Sequence, residues 1–385
     1  MMMNISIFGI SLVTASDKTM AIRSIKIHII ATMYCLCVVW WLSKSGQDRI
    51  PYSRHRDNSE TRLILFGNTF WGDTTWEIGE GSEVFANCPV NNCYLTSDKS
   101  RIAKSDAVLF HVHELDTFPE YERPIKQRWV FFMLESPQFS ANTVYRGEPW
   151  RSAFNWTMTY KLDSDIPIPY GHIERVPRKS TKDYLTISKS KSRLVAWFAS
   201  NCHTNSKREL YVRELARYLT VDVIGVCGRR VCARNYSGGD EECQTLINNT
   251  YLFYLSFENS LCADYVTEKF YKILQLDVVP IVRGAARDDY EKIAKRNWYI
   301  NTNDYDSPKA LSDHLLRLSR NLSDYVRHFK GKEFYEFNTY YGLKRLPQWC
   351  KLCEKLNDET ERPKIIRDIR SWWSTTNCAQ PSDVG

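Results

Sequence analysis

The chain has 385 residues, 43% of them hydrophobic, with no low-complexity tract and no internal repeat, which excludes a disordered protein and leaves room for two domains with appendages. A net charge of +7, not gathered into one block, argues against a nucleic-acid surface and stays compatible with a small polyanionic ligand.

Ile27 to Ser43 (IHIIATMYCLCVVWWLS) contains no Asp, Glu, Lys or Arg and is bounded by Lys26 and Lys44. At the helical rise these residues span roughly 26 Å, enough for a thin bilayer. A buried core helix is the plainer alternative. No small-x-small cleavage site follows Trp40-Trp41-Leu42, so the expectation is an uncleaved signal-anchor over 27–43 behind a cytoplasmic tail at 1–26. Met20 opens MAIRSIK, itself a short basic tail.

Flanking charge does not orient the span, since Arg23 and Lys26 face Lys44, Arg49, Arg54 and Arg56. Cysteines do better. Cys35 and Cys37 lie in the span, and ten of the twelve are dispersed beyond it, the pattern of disulfides in an oxidising lumen. Cys350-x-x-Cys353 could be half of a zinc site, but no second such pair or His-x-His lies near it. Sequons at Asn155, Asn235, Asn248 and Asn321 all follow the span and agree with a luminal body.

Residues 44–60 are polar and aperiodic and read as a stem. Thr61–Gly67, Ala107–His111 and Arg128–Leu134 are short apolar runs read as strands of a first domain, 61–180. Val176–Ser192 is rich in Lys, Ser and Thr, lacks an apolar face, and marks a domain boundary.

A second domain, 190–345, is more regular. Leu194–Ser200 is a strand, and Ser206 with Glu209 forms a capping box opening a helix whose apolar face is Tyr211, Leu215, Tyr218 and Leu219. Val221–Gly225 is the next strand. Tyr251–Phe257, Thr267–Leu276 and Val278–Val282 repeat the strand–helix–strand pattern, so the fold class is α/β with a parallel sheet. A C-terminal segment occupies 346–385.

Ligands of such sheets bind beyond the carboxyl ends of the strands, where Ser200-Asn201 and Glu258-Asn259 fall. Asp264, Tyr265 and Thr267-Glu268-Lys269 crowd the same crossover. Capping of a helix start explains acidic and hydroxyl groups there. A nucleotide site explains them too, with Lys269 and Arg208 supplying positive potential for a diphosphate. No glycine-rich loop is present, so side chains would hold the nucleotide. Glu135 ends an apolar run just before Pro137 and is aimed from a sheet edge, as a general base or as a plain surface carboxylate. Asp163-Ser164-Asp165 has the form of a DxD clamp for Mn2+, but lies far from the paired strand–helix–strand units.

FENSLCADYVTEKF (Phe257–Phe270) with VVPIVRG (Val278–Gly284) resembles the donor-binding signature of the α1,3/4-fucosyltransferases, glycosyltransferase family ten. The likeness continues in DAVLFHVHE (Asp106–Glu114), QRWVFFMLESPQ (Gln127–Gln138), FNWTMTYKLDSDIPIPYG (Phe154–Gly171), LVAWFASN (Leu194–Asn201) and CKLC (Cys350–Cys353), roughly from Arg62 to Trp373.

The resemblance implies a GT-B architecture, two Rossmann-like domains facing a cleft, in a Golgi type II membrane protein. It also implies inverting transfer of L-fucose from GDP-fucose to O3 of GlcNAc in a glycan acceptor. Glu135 would be the base. Ser200, Asn201, Arg208, Glu258, Asn259, Tyr265, Glu268 and Lys269 would hold the donor, with Lys161 matching a family arginine. The family carries the same DSD without needing a metal, so no cofactor is expected to be required, a divalent cation at most stimulating transfer. Cys88 and Cys93 would bridge to Cys350 and Cys353. Departures are a donor-helix segment one residue shorter, Leu162 for a second arginine, and Cys202 where Trp is common. The alternatives are a metal-dependent DxD transferase, an inactive glycan-binding relative, and an anchored structural protein.

Overall fold

The computed structural model describes residues 60–140, 144–179, 182–229, 241–284, 286–340 and 342–384. The expected tail, the span at 27–43, nearly all of the stem and Asn235 lie outside them. Among the described residues no helix is long and apolar enough to cross a membrane.

Strands β1 (Arg62–Phe66), β2 (Cys93–Thr96), β3 (Ala107–His111), β4 (Arg128–Met133) and β5 (Trp156–Thr159) form a parallel sheet in the order β2-β1-β3-β4-β5. Burial on both faces explains the apolar runs within β1, β3 and β4. Ile64, Phe66, Val130 and Phe132 pack with Trp76, Phe85, Trp349 and Leu352 on one face. Leu65, Val108, Phe131 and Met133 meet Tyr145, Trp150, Ile369 and Trp373 on the other.

β6 (Gly171–Arg175) leaves that sheet and pairs antiparallel with β12 (Tyr335–Thr339), from far along the chain. A Cβ on Gly171 would come within 2.3 Å of the Asn338 carbonyl and 2.6 Å of the Tyr271 ring, so only glycine fits. The expected boundary carries a helix, α1 (Tyr184–Lys189), rather than plain linker. Asp183 caps it, and Tyr184 stacks on Phe329 at 4.4 Å, a contact from far along the chain that local composition does not reveal.

β7 (Arg193–Phe198), α2 (Arg208–Leu215), β8 (Val221–Ile224), α3 (Glu241–Thr250), β9 (Tyr251–Phe257), α4 (Glu268–Leu274), β10 (Val279–Arg283) and β11 (Ile300–Asn301) build the second unit. Its parallel sheet runs β11-β10-β9-β7-β8. Val195, Phe253, Leu255 and Ile281 pack under α2 and under α5 (Pro308–Arg320), whose Leu311, Leu315 and Leu318 share one face.

The capping box at Ser206 and Glu209 does not form. Lys207 takes the N-cap position with φ 48°, the Ser206 hydroxyl donates to the Glu258 carbonyl, and Glu209 accepts from Thr204. The tertiary bond to the β9 end outcompetes local capping. Of the expected helix face, Tyr211, Leu215 and Leu219 are buried and Tyr218 is exposed.

Lys332 is buried beside β12, its ammonium donating to the Leu274 carbonyl and lying over the Phe329 and Phe337 rings. Burial, opposed by Asp277, pushes it down to about 7. Lys191 is lowered to about 8 in the same way. The folded chain therefore binds fewer protons than the unfolded chain above these values. Stability should rise with pH between about 7 and 9, by about 1 kcal/mol per pH unit for each titrating lysine. Denaturant melts across that range should show the rise, and Lys332→Met should remove much of it.

The C-terminal segment covers both faces of the first sheet. α6 (Gln348–Asn357) lies on one, fixed by disulfides Cys88–Cys350 and Cys93–Cys353, so the two cysteines of CKLC take different distant partners. α7 (Ile369–Trp372) lies on the other. Asn155 helps to hold this segment and is corrected as a glycan acceptor. It is 6% exposed, its carbonyl oxygen accepts from Trp129 N and Arg123, and its amide donates to the Lys364 carbonyl at 2.6 Å. Asn321 is exposed and Asn248 half-buried.

Candidate active site

The carboxyl ends of β4 and β9 come together. Beyond β4 the chain continues Leu134-Glu135-Ser136-Pro137, and beyond β9 it continues Glu258-Asn259-Ser260. The Tyr265 hydroxyl donates to Glu135 Oε2 at 2.8 Å, and the Asn259 amide donates to the same oxygen at 3.4 Å. Ser136 donates to the Ser260 hydroxyl at 2.6 Å. Three side-chain hydrogen bonds thus tie the end of one sheet to the end of the other.

Glu135 is half-buried, and its Oε1 has no partner among the described residues. Its backbone is braced by Tyr170, whose hydroxyl donates to the Leu134 carbonyl at 2.6 Å. Tyr265 is 1% exposed and packs edge-on against Tyr160 and Tyr170. Burial first, then Tyr170 and Glu135, push its phenol far above the ordinary value. It therefore remains an O–H donor at any working pH. A carboxylate held on one oxygen by a donor that does not ionise, with the other oxygen free, suits proton abstraction.

The second half of the site surrounds the start of α4. Glu258 is wholly buried, and its carboxylate accepts from Thr267 N at 2.8 Å and Thr267 Oγ1 at 2.7 Å. Lys269 Nζ lies 3.4 Å from Glu258, 3.2 Å from Glu268 and 2.8 Å from Thr267 Oγ1. Burial raises the Glu258 carboxyl above its usual value, with Lys269 opposing. Burial also works against charge on Lys269, but Glu268 and Glu258 outweigh it and hold the ammonium protonated. The Lys269 side chain is 28% exposed, so this cation can reach a ligand. Glu258 cannot, and the expectation that it faces the donor is replaced by a role beneath the site.

Arg208 is 5% exposed, and its guanidinium donates to the carbonyls of Phe257 and Asn201, joining two strand ends. Its Nε has no partner among the described residues. Ser200 is half-buried and Asn201 exposed just past β7, where Cys202 is bonded to Cys227. Lys161 stands apart from this group, paired with Asp163 at 3.2 Å and lying 4.1 Å from the Trp372 ring centre. Its loop reaches the 258–266 crossover through the Tyr160 ring against Tyr265 and through Leu162 N, which donates to Asp264 at 3.2 Å. Asp163 also accepts from Trp372 Nε1, and Asp165 accepts from Thr157 and pairs with Lys364, so the DSD carboxylates serve separate protein partners.

Ser136, Ser260 and Tyr170 were not singled out in the sequence. The two serines adjoin Glu135 and Asn259, which is the one signal that could have found them; Tyr170 carries none.

A half-buried carboxylate from one parallel sheet, set against a crossover from a second that carries a partly exposed ammonium, is an arrangement of the two-sheet α/β class suited to group transfer from an anionic donor. The profile described as fucosyltransferase, N-terminal, matches residues 59–171, and that described as glycosyltransferase family 10 (fucosyltransferase) C-term matches residues 188–372. Glycoprotein 3-alpha-L-fucosyltransferase A of Drosophila melanogaster is 35% identical over 330 residues, 84% of this chain and 62% of that protein. Alpha-(1,3)-fucosyltransferase C of the same organism is 31% identical over 365 residues, 86% of this chain and 82% of the relative. A crystal structure of an α1,3-fucosyltransferase with GDP-fucose superposes with TM-score 0.48 at 14% identity, covering 78% of this chain and 92% of the other. The chain belongs to glycosyltransferase family 10, the fucosyltransferases.

Proposed function

We propose that the protein is an inverting α1,3-fucosyltransferase, moving L-fucose from GDP-fucose to O3 of a GlcNAc residue in a glycan, an N-glycan antenna or its core among the candidates. The observation that carries this reading is the hydrogen-bonded junction of Glu135 with Asn259 and Tyr265 at the meeting of two sheet ends. The named relatives support it.

The two sheets are then the halves of a GT-B cleft. Glu135 takes the proton of the acceptor hydroxyl as its oxygen attacks the anomeric carbon of fucose. The bond to the GDP oxygen breaks on the opposite face, inverting the configuration. Negative charge gathers on the departing diphosphate, where Lys269 offsets it. The scheme routes no step through a metal, and the DSD carboxylates have protein partners in Lys161, Trp372, Thr157 and Lys364. Disulfides linking distant parts of the chain support a luminal, oxidising setting, with the Golgi membrane as the proposed location.

The test is to incubate the full chain with GDP-fucose and a panel of GlcNAc-terminated glycans in EDTA and follow products by mass spectrometry. Addition of one deoxyhexose in EDTA is expected. Transfer that appears only with added Mn2+ would favour the DxD reading, and glycan binding without transfer an inactive relative. Lys269→Ala should weaken GDP binding by roughly 1.5–3 kcal/mol, the range for a hydrogen bond to a charged group, and titration calorimetry reads this directly.

A further inference from the structure

Beyond α7 the chain turns back onto the loop that carries Asn259 and Tyr265. Cys378 is disulfide-bonded to Cys262. The flanking backbone adds two hydrogen bonds, from Ala263 N to the Asn377 carbonyl at 2.9 Å and from Ala379 N to the Leu261 carbonyl at 2.7 Å. Further on, Asp383 accepts from Arg283 Nη2 at 2.5 Å. Arg283 is 2% exposed, and its Nη1 donates to the Ser206 carbonyl at 2.9 Å. Ser206 in turn donates its hydroxyl to the Glu258 carbonyl at 2.7 Å, and its N–H to the Asn259 carbonyl at 3.0 Å.

Residues 374–384 therefore grip the crossover at two places, directly at its middle, Leu261–Ala263, and through Arg283 and Ser206 at its start, Glu258–Asn259. Between and just beyond these grips stand Asn259, Ser260 and Tyr265, the groups that hold Glu135 and Ser136. The crossover has little regular structure of its own, and Asp264 within it sits at φ 60°, a conformation that surroundings must impose. The C-terminal family match ends at residue 372, before this strap begins.

We propose that the strap positions the catalytic carboxylate: Cys378 and Asp383 fix the crossover that orients Glu135, and act as positioning residues for fucose transfer. The part concerning transfer rests on Glu135 being the base; the ordering of the crossover does not.

The test compares full-length Cys262→Ser/Cys378→Ser with Cys88→Ser/Cys350→Ser, which opens a disulfide away from the site, and with Asp383→Asn, which keeps every disulfide. Hydrogen exchange over 258–266 and the kinetics of transfer are read for each. Opening the strap should speed exchange in the crossover and lower kcat about ten- to a hundredfold, the scale for a misplaced reacting group, while KM for GDP-fucose changes little. Asp383→Asn should move both readings the same way by less. The Cys88 and Cys350 variant should keep crossover protection and kcat. Unchanged exchange in both strap variants, or wild-type kcat with a loosened crossover, would overturn the proposal. A wild-type chain that transfers no fucose would sink the functional reading, and exchange would still decide whether the strap orders the crossover.

Discussion

Glu135→Gln is expected to lower kcat by about 10²–10⁴-fold, the range for loss of a general base, with GDP affinity unchanged. The amide keeps the size of the side chain and can still accept from Tyr265, so the junction between the sheet ends should survive. What is lost is the capacity to take the acceptor proton, which matters only in the transition state. A fall in kcat without a change in GDP binding is the signature of that loss. Steady-state kinetics with calorimetric GDP titration separate the two quantities. If transfer stays within tenfold of wild type, the proton goes elsewhere.

Glu258→Ala should act on the fold instead. Its carboxylate is buried, accepts from Thr267 N and Oγ1, and neutralises Lys269. Truncation leaves an N–H, a hydroxyl and an ammonium short of a partner, and opens space beside Gly284, whose position would bring a Cβ within 2.7 Å of Glu258 Cγ. Breaking a buried pair on one side costs about 3–5 kcal/mol. Urea unfolding should show a lower midpoint at constant slope. Weaker GDP binding would follow as a consequence of a disordered α4 start. A variant with wild-type stability and reduced GDP affinity would instead place Glu258 in contact with the donor.

The second sheet was legible because β7, β9 and β10 are predominantly apolar runs, as strands buried on both faces tend to be. β2 and β5 were missed: each has four residues, and Thr96, Thr157 and Thr159 mask the pattern although all three are buried. α3 was missed for a different reason. Ile247 is its one buried residue, so no apolar stripe advertises it.

Glu135, Asn259 and Tyr265 could be picked out by motif, but their contact spans 124 and 130 residues and is set by how two sheets dock. Glu258 misled because a carboxylate past a strand end ordinarily faces water. The Asn155 sequon misled similarly, since a three-residue pattern is blind to the C-terminal segment that covers it. The bond between Cys262 and Cys378 was beyond reach, as the number and spacing of cysteines leave connectivity open.

The central claim is that Tyr265 and Asn259, from one sheet, aim a base borne by the other. Tyr265→Phe removes a single hydroxyl from a buried ring and tests it most directly. The account predicts that kcat falls about tenfold or more while KM for GDP-fucose is preserved, as for a displaced catalytic group. A raised KM with wild-type kcat would contradict it, making Tyr265 a donor contact and leaving Glu135 to be positioned by something else.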